Sequence, residues 1–592
     1  MKSFLELIVF YHNLLGRKLF LLISMIAFAA CLEIVSVSFF MPLLAGVNSD
    51  NPVNKIFKLV FSLFNIEYTL FNLLIVLIVI VTLRSLLLVG ETSYRGKIMA
   101  QLLVDLRQRI GRQIFELDYL RYLSNSSGFL NNALVIECQN VVFAFKMLAS
   151  LMVTTFFAIA YLGIPIILNP TLVLILIVMV IVLLPILRKI NSKTKEYSTL
   201  TSKYSAGLQR ILIQALNNFK YLKATGTYDQ VLKHVNSQSH KLGMQQYRLS
   251  ILQGITQYGF EPFVALMIAG VVFYYVAVRG ENITEYIFLL FLMMTAMRKI
   301  LGMQQNLRKL LGSWGSIGVV KGLQVDLEKF KERKSENGSF SPDYFENPIV
   351  FKDVSFSFNK SDVLLKDINM EIHPNSTVAF VGESGVGKST LVNLLIGLLE
   401  PSKGEIYLGE TAYKDIDKEK FRKHIGYITQ ESVIFNDTIR NNVTFWNAQS
   451  DKDNSKKIYS VLGKARISEY VKSLRRGYDS ILGEGGINIS GGQRQRICIA
   501  RELFKDAKVI VFDEATSALD TKTEKEIQKN IDEFRGEKTI ILIAHRLSTV
   551  RNCDNIFVLK DGRIVEEGMY DDLLRLNGEF NRMVNLQNSK TE

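Results

Sequence analysis

Cysteine is scarce in this chain: Cys31, Cys138, Cys498 and Cys553 are all there is among 592 residues. Their separations give neither a disulfide framework nor the paired spacing of a structural zinc site. Proline is sparse too, with ten in the chain and none in 90–140 or 188–255. Both stretches are rich in helix formers, so nothing in them interrupts a long helix. Residues 1–18 lack a small-residue cleavage site ahead of the first apolar run, which argues against a removable signal peptide. No nucleic-acid-binding motif is found, although 70 Lys and Arg against 56 Asp and Glu leave a net charge of +14. No nucleic-acid partner is expected, and the basic excess needs another explanation.

Six apolar stretches supply it, at 19–44, 70–89, 141–168, 172–187, 260–278 and 283–301. Most reach the roughly 20 residues needed to cross a hydrocarbon core, and the shortest can borrow flanking residues. As buried helices of a soluble protein, apolar all round, they would need partner surfaces on every side. They are expected to be membrane spans. The short connections at 46–69, 169–171 and 279–282 carry only Lys55, Lys58 and Arg279. The long connections are far more basic: Arg95, Lys97, Arg107, Arg109, Arg112 and Arg121 lie in one, and eleven Lys or Arg from Arg188 to Arg248 in the other. That asymmetry places both termini in the cytoplasm. The proline-free loops should extend the spans as long cytoplasmic helices, turning at 117–127 and 219–229.

The chain divides into 1–328, carrying the spans, a polar linker at 329–347, and 348–592, which alternates short strands with amphipathic helices as soluble α/β domains do. In the last part, Gly382-Glu383-Ser384-Gly385-Val386-Gly387-Lys388-Ser389-Thr390 follows an apolar strand, 377–381, and opens a helix at Lys388. A loop of this kind turns consecutive backbone N–H groups toward phosphate oxygens, with the helix N-terminus adding positive potential. Lys388 would reach the β and γ phosphates of ATP and Ser389 would ligate Mg2+. About a hundred residues on, Ile489-Ser490-Gly491-Gly492-Gln493 opens another helix and can present N–H groups and a hydroxyl to phosphate in the same way. Between that motif and the C-terminus, Val509-Ile510-Val511-Phe512 reads as a buried parallel strand that delivers Asp513, a carboxylate able to hold Mg2+ directly or through water.

With Phe358, Gln430, Glu514, 517–520 and His545 added in order, the chain resembles the ATP-binding cassette superfamily, specifically its exporter-type half-transporters. The resemblance is motif by motif after 350 and rests on span number and loop length before it. It implies an all-α membrane domain of six helices followed by an α/β P-loop nucleotide-binding domain. It further implies an ATPase coupled to transport. Glu514 is then the general base for the attacking water, His545 contacts the γ-phosphate, Gln430 senses Mg2+ and water, Phe358 stacks on adenine, and Asp520 belongs to the nucleotide site. In this family the serine-glycine motif faces the nucleotide of the opposite subunit, so the resemblance also implies a homodimer. Two positions depart from the common pattern: Ile489 replaces leucine, and Gly485 stands where exporters commonly carry arginine.

For cargo the membrane half offers Arg84 and Arg298, inside or at the edge of spans and about 15 residues from their outer ends. They either face a polar cavity, where a phosphate headgroup can pair with the planar guanidinium, or snorkel to the interface. Lys146, Glu33 and Glu261 add charges, and the two glutamates can simply neutralise arginine. On the outer side, Val53, Ile56, Phe57, Val60, Phe61 and Phe64 fall at helical spacing. This amphipathic helix either serves substrate or merely packs, with Lys55 and Lys58 outward. Lipid-linked oligosaccharide flippases of the superfamily share an external helix and membrane arginines. By that resemblance the cargo is a polyprenyl-diphosphate-linked oligosaccharide, crossing from the inner to the outer leaflet of a bacterial inner membrane. Export of peptides, other lipids or hydrophobic drugs is the alternative. A soluble ATPase of the same superfamily is excluded by the spans, and an importer is disfavoured because its domains generally occupy separate chains.

Overall fold

The computed structural model describes residues 2–45, 52–279, 283–332, 340–359, 362–447, 452–513, 529, 532–544 and 546–588. These fall into two compact units, Met1–Lys331 and Glu332–Glu592.

The first unit is helical. After α1 (Lys2–Leu15) come α2 (Arg17–Ser38), an external helix α3 (Pro52–Leu63), and α4 (Leu70–Phe115). Next are α5 (Cys138–Leu168), α6 (Pro170–Asn217), α7 (Tyr228–Tyr258), α8 (Glu261–Phe273), α9 (Ile283–Gly312) and α10 (Trp314–Lys329). At 1.5 Å per residue, α4 and α6 are each about 70 Å long, more than twice a hydrocarbon core. The helices therefore continue well past their apolar stretches, as the lack of proline at 90–140 and 188–255 leads one to expect. Side chains set where they begin. Thr69 caps α4 by accepting from the Asn72 N–H, and Asn169 caps α6 by accepting from Leu172, with Pro170 in the first turn.

Among the described residues five helical segments are long and apolar enough to cross a membrane, ending with Tyr228–Phe273. The sixth predicted stretch, 283–301, lies in α9, several of whose first side chains fall outside the described residues. The turns expected at 117–127 and 219–229 are short helices. Asp118 caps Tyr119–Ser124, and Arg121 from that helix makes a two-pronged ion pair with Asp326 at 2.8 Å. The other, Phe219–Thr225, stops at Gly226, whose φ of 67° is a left-handed terminator.

The second unit holds two sheets. Strands β1 (Ile349–Asn359), β2 (Asp362–Ile372), β4 (Lys403–Leu408) and β5 (Thr411–Ala412) form an antiparallel sheet in the order β2-β1-β4-β5. The other sheet contains β3 (Thr377–Gly382), β6 (Ile425–Ile428), β7 (Val509–Asp513), β8 (Thr539–Ile543), β9 (Asn555–Lys560) and β10 (Arg563–Gly568), in the order β10-β9-β3-β8-β7-β6. All neighbours from β9 to β6 are parallel. Such strands are covered on both faces, so they read as unbroken apolar runs: β3 and β8 are buried at every position, and β7 at all but Asp513. Being parallel, β3, β6, β7 and β8 release the chain at one edge of the sheet, where ligands of open α/β sheets bind.

Candidate functional site

At that edge β3 ends in Gly382 and the chain loops to α11 (Lys388–Leu395). Two glycines make the loop possible. A Cβ on Gly382 would lie 2.5 Å from the Leu559 carbonyl oxygen, and one on Gly387, which caps the helix at a φ of 108°, would lie 2.7 Å from Leu365 Cδ2. Glu383, Ser384 and Gly385 are exposed at the tip, as is Ser389 in the first turn, whereas Thr390 is buried. Lys388 is 5% exposed, and its ammonium donates to the carbonyl oxygens of Gly382 and Glu383, both at 2.8 Å. A buried cation is thus folded over a loop with its Nζ held beside the N-terminus of a helix. These are the requirements for cradling a polyphosphate, and the residues present fit ATP.

Asp513 ends β7, and its carboxylate accepts from the Tyr427 hydroxyl at 2.7 Å. The parallel register produces this contact, since Ile428 on β6 is level with Phe512 on β7. Tyr427 is the residue that sequence reasoning missed, although it stands three positions before Gln430. Gln430 itself leaves β6 at the same edge and is exposed. An oxygen-rich set of Asp513, Ser389 and Gln430 suits a hard divalent cation such as Mg2+. Behind this edge, burial holds the Glu502 carboxyl above the usual carboxylate range. Glu514, Asp520 and His545 lie outside the described residues.

Phe358 is 51% exposed, in edge-to-face contact with Phe356 at 5.0 Å. Phe356 pairs with Leu365, the side chain that would touch a Cβ on Gly387, so the strand bearing Phe358 runs beside the glycine loop. Elsewhere, Ser490 caps α12 (Gly491–Phe504) in a reciprocal box: its hydroxyl accepts from the Gln493 backbone N–H at 3.3 Å, and the Gln493 side-chain Oε1 accepts from the Ser490 N–H at 2.9 Å. Ser490 is exposed and Gly491 half-buried, whereas Gly492 is buried. Upstream, Gly485 has a φ of 57°, a conformation that strains arginine and suits glycine. The departure at Gly485 is therefore matched to its backbone.

Within the membrane unit, Arg84 on α4 is not alone. Its Nη1 lies 2.5 Å from Glu33 Oε2 on α2, and Glu33 is only 3% exposed. Tyr161 of α5 donates its hydroxyl to the other Glu33 oxygen. Arg298 on α9 is exposed, yet near enough to act electrostatically on the Tyr161 hydroxyl. Lys299 sits 5.2 Å over the ring of Phe157, one turn from Tyr161. Four helices thus bring Arg84, Arg298, Glu33 and Tyr161 together, with Lys299 a turn away, and Glu33 does neutralise an arginine. Lys146 and Glu261 are exposed.

Helix α3 buries only part of its apolar face. Phe57 and Phe61 are buried, with Phe57 4.4 Å from Phe39 and Phe61 edge-on to Tyr68. Phe57 and Phe61 also line an open apolar cavity of ≈ 620 Å³, with the more exposed Ile56, Val60 and Phe64 and with residues of α2, α4 and α5 such as Ile34, Ile80 and Ile164. The side chain of Val53 lies outside the described residues.

Comparison with known proteins follows this geometry. Residues 19–300 match the family described as ABC transporter transmembrane region, and residues 365–517 match ABC transporter. The ATP-dependent lipid A-core flippase of Psychrobacter arcticus is 31% identical over 502 residues, covering 83% of this chain and 82% of that protein. Its namesake in Desulfotalea psychrophila is 41% identical over 263 residues, an alignment spanning 44% of this chain and 45% of the other. A bacterial Atm1-family ABC exporter with ATP bound shares the fold, with a TM-score of 0.79 at 22% identity, over 97% of this chain and 99% of that one.

Proposed function

This chain belongs to the ABC transporter family, and from that premise we propose that its cargo is a phosphorylated amphiphile carried from the inner to the outer leaflet. The protein is a multi-pass membrane exporter that couples ATP hydrolysis to transport. The observation that carries the cargo reading is the pair of arginines, Arg84 and Arg298, at Glu33 and Tyr161. Two cations against one carboxylate leave an excess of positive charge in a low-dielectric setting, where an anion is bound far more strongly than in water. Relatives named lipid A-core flippases support a phosphorylated glycolipid. The external helix and its apolar cavity support a second form of the same chemistry, a polyprenyl-diphosphate-linked oligosaccharide.

Reconstituted protein should flip a diphosphorylated lipid A-type glycolipid or a polyprenyl diphosphate. It should leave hydrophobic peptides and zwitterionic phospholipids where they are. Transport of peptides at the rate of the phosphorylated lipids would refute the reading.

The engine assignment follows the site residues. Gly382 to Thr390, Lys388 among them, bind the phosphates, Phe358 stacks on adenine, and Ser389, Asp513 and Gln430 would hold Mg2+, which would neutralise charge on the leaving phosphates. Glu514 is the base, His545 holds the γ-phosphate, Asp520 belongs to the nucleotide site, and Ser490 to Gln493 complete the site of a second copy in a homodimer. The nucleotide-binding unit faces the cytoplasm of a bacterial inner membrane, consistent with the basic bias of the long loops.

Tyr427 orients the Asp513 carboxylate through a charge-assisted hydrogen bond, the kind that contributes about 1.5–3 kcal/mol. Tyr427→Phe should therefore raise the Mg2+ concentration for half-maximal ATPase about tenfold or more while changing the apparent ATP affinity much less. A Mg2+ titration at saturating ATP checks this, and an unchanged midpoint would separate Tyr427 from the metal.

A further inference from the structure

Glu33 raises a question that the cargo reading does not answer. A carboxylate only 3% exposed within a spanning helix neutralises one of the arginines needed to bind an anion. The pairing is incomplete: Glu33 Oε2 approaches Arg84 Nη1 without sound hydrogen-bond geometry, and the buried Arg84 Nε has no hydrogen-bond partner. A guanidinium offers a planar fork of N–H donors, and a carboxylate met through one prong leaves the rest of the fork for a better-fitting anion. The other Glu33 oxygen is independently held by the Tyr161 hydroxyl, from a third helix.

We propose that Glu33 is a resident counter-ion that an anionic headgroup displaces from Arg84. This inference rests on the reading of the cargo as a phosphorylated amphiphile. In the empty transporter Glu33 covers Arg84, so the cation is not left bare in the membrane. A phosphate group, with three acceptor oxygens, takes the fork of Arg84 in two-pronged fashion. Glu33 swings off Arg84 but stays anchored by Tyr161, and Arg298 offsets the added negative charge. When the helices separate the headgroup from the fork, Glu33 returns and prevents rebinding. The carboxylate thereby weakens binding and favours release, as a flippase needs at its exit side. Specificity follows as well, because an anion that meets Arg84 through one point only has no advantage over Glu33.

The test uses the full-length protein in lipid nanodiscs, with a diphosphorylated lipid A-type glycolipid and a polyprenyl diphosphate as probes and phosphatidylcholine as the zwitterionic control. Glu33→Gln keeps the shape and the Tyr161 contact but removes the competing charge. It should bind both phosphorylated probes about tenfold more tightly, release them more slowly, and leave phosphatidylcholine binding unchanged. Tyr161→Phe frees Glu33 to pair more fully with Arg84 and should weaken binding of the same probes. A purely structural role would shift both variants the same way, so opposite shifts identify the counter-ion. Equal affinity in wild type and Glu33→Gln, or weaker binding by both variants, would overturn the proposal while leaving the cargo reading intact. Failure of the wild type to bind either phosphorylated probe would overturn both. Should Glu33→Gln fail to fold, Tyr161→Phe decides alone: tighter or unchanged binding refutes the counter-ion role.

Discussion

Glu514→Gln is expected to abolish turnover and hold ATP in place. Its position explains the size of the effect. Strand β7 ends at Asp513, whose carboxylate is fixed by Tyr427, and Glu514 is the next residue in the chain. On the proposed assignment Asp513 would hold the metal, which leaves the adjacent carboxylate to take a proton from water. General-base catalysis contributes about 10²–10⁴-fold, and the glutamine side chain keeps the size while losing the basicity. ATP binding, which depends on the glycine loop and Lys388, should survive. The variant should therefore hydrolyse ATP at least about a hundredfold more slowly and retain it through gel filtration. If each site is completed by Ser490 to Gln493 of a second copy, trapped ATP should also hold two nucleotide-binding units together. Crosslinking of cysteines introduced at Ser490 in one copy and Ser384 in the other should then depend on ATP. Normal turnover in the variant would remove Glu514 from its role, and trapped ATP without crosslinking would argue against the shared site.

Replacing Arg84 and Arg298 together is expected to stop flipping while ATP hydrolysis continues. Hydrogen bonds to charged groups contribute about 1.5–3 kcal/mol each. Losing two such anchors therefore corresponds to a hundredfold or greater fall in cargo affinity on the scale of about 1.4 kcal/mol per tenfold. Arg84→Gln alone needs separate interpretation, because it leaves Glu33 buried without its cation, and an unpaired buried charge is costly. The informative variant pairs Arg84→Gln and Glu33→Gln with Arg298→Gln, so that no lone charge remains. Flipping of a fluorescent phosphorylated lipid in proteoliposomes, measured beside phosphate release, reads both halves of the machine. Unchanged flipping would show that these arginines only anchor helices at the interface, the alternative their positions in the sequence left open.

The site was unequally legible. The glycine loop, the strand before it, the strand ending at Asp513 and the helix opened by Ser490 could all be read in advance, because each is a local pattern. A run of apolar residues makes a buried parallel strand, and a capping residue opens a helix. Tyr427 could not be assigned. Its partner is 86 positions away, and only the parallel pairing of β6 with β7 brings them together. The external helix was visible as a period, but not the division of its apolar face. All five side chains border one cavity, yet Phe57 and Phe61 are buried while Ile56, Val60 and Phe64 stay exposed, which depends on how neighbouring helices are rotated.

By itself, the sequence determined the engine and the membrane-spanning class of this protein, because phosphate-binding loops, strand runs and apolar lengths are encoded in contiguous residues. It also showed that Arg84, Arg298 and Glu33 were present in spans, without deciding which charges meet. Tertiary structure decided that: Glu33 lies against Arg84 and receives the Tyr161 hydroxyl across 128 positions. Ion pairing in a membrane depends on which faces of separate helices turn toward one another. Packing of whole helices sets that rotation, and no local pattern carries it.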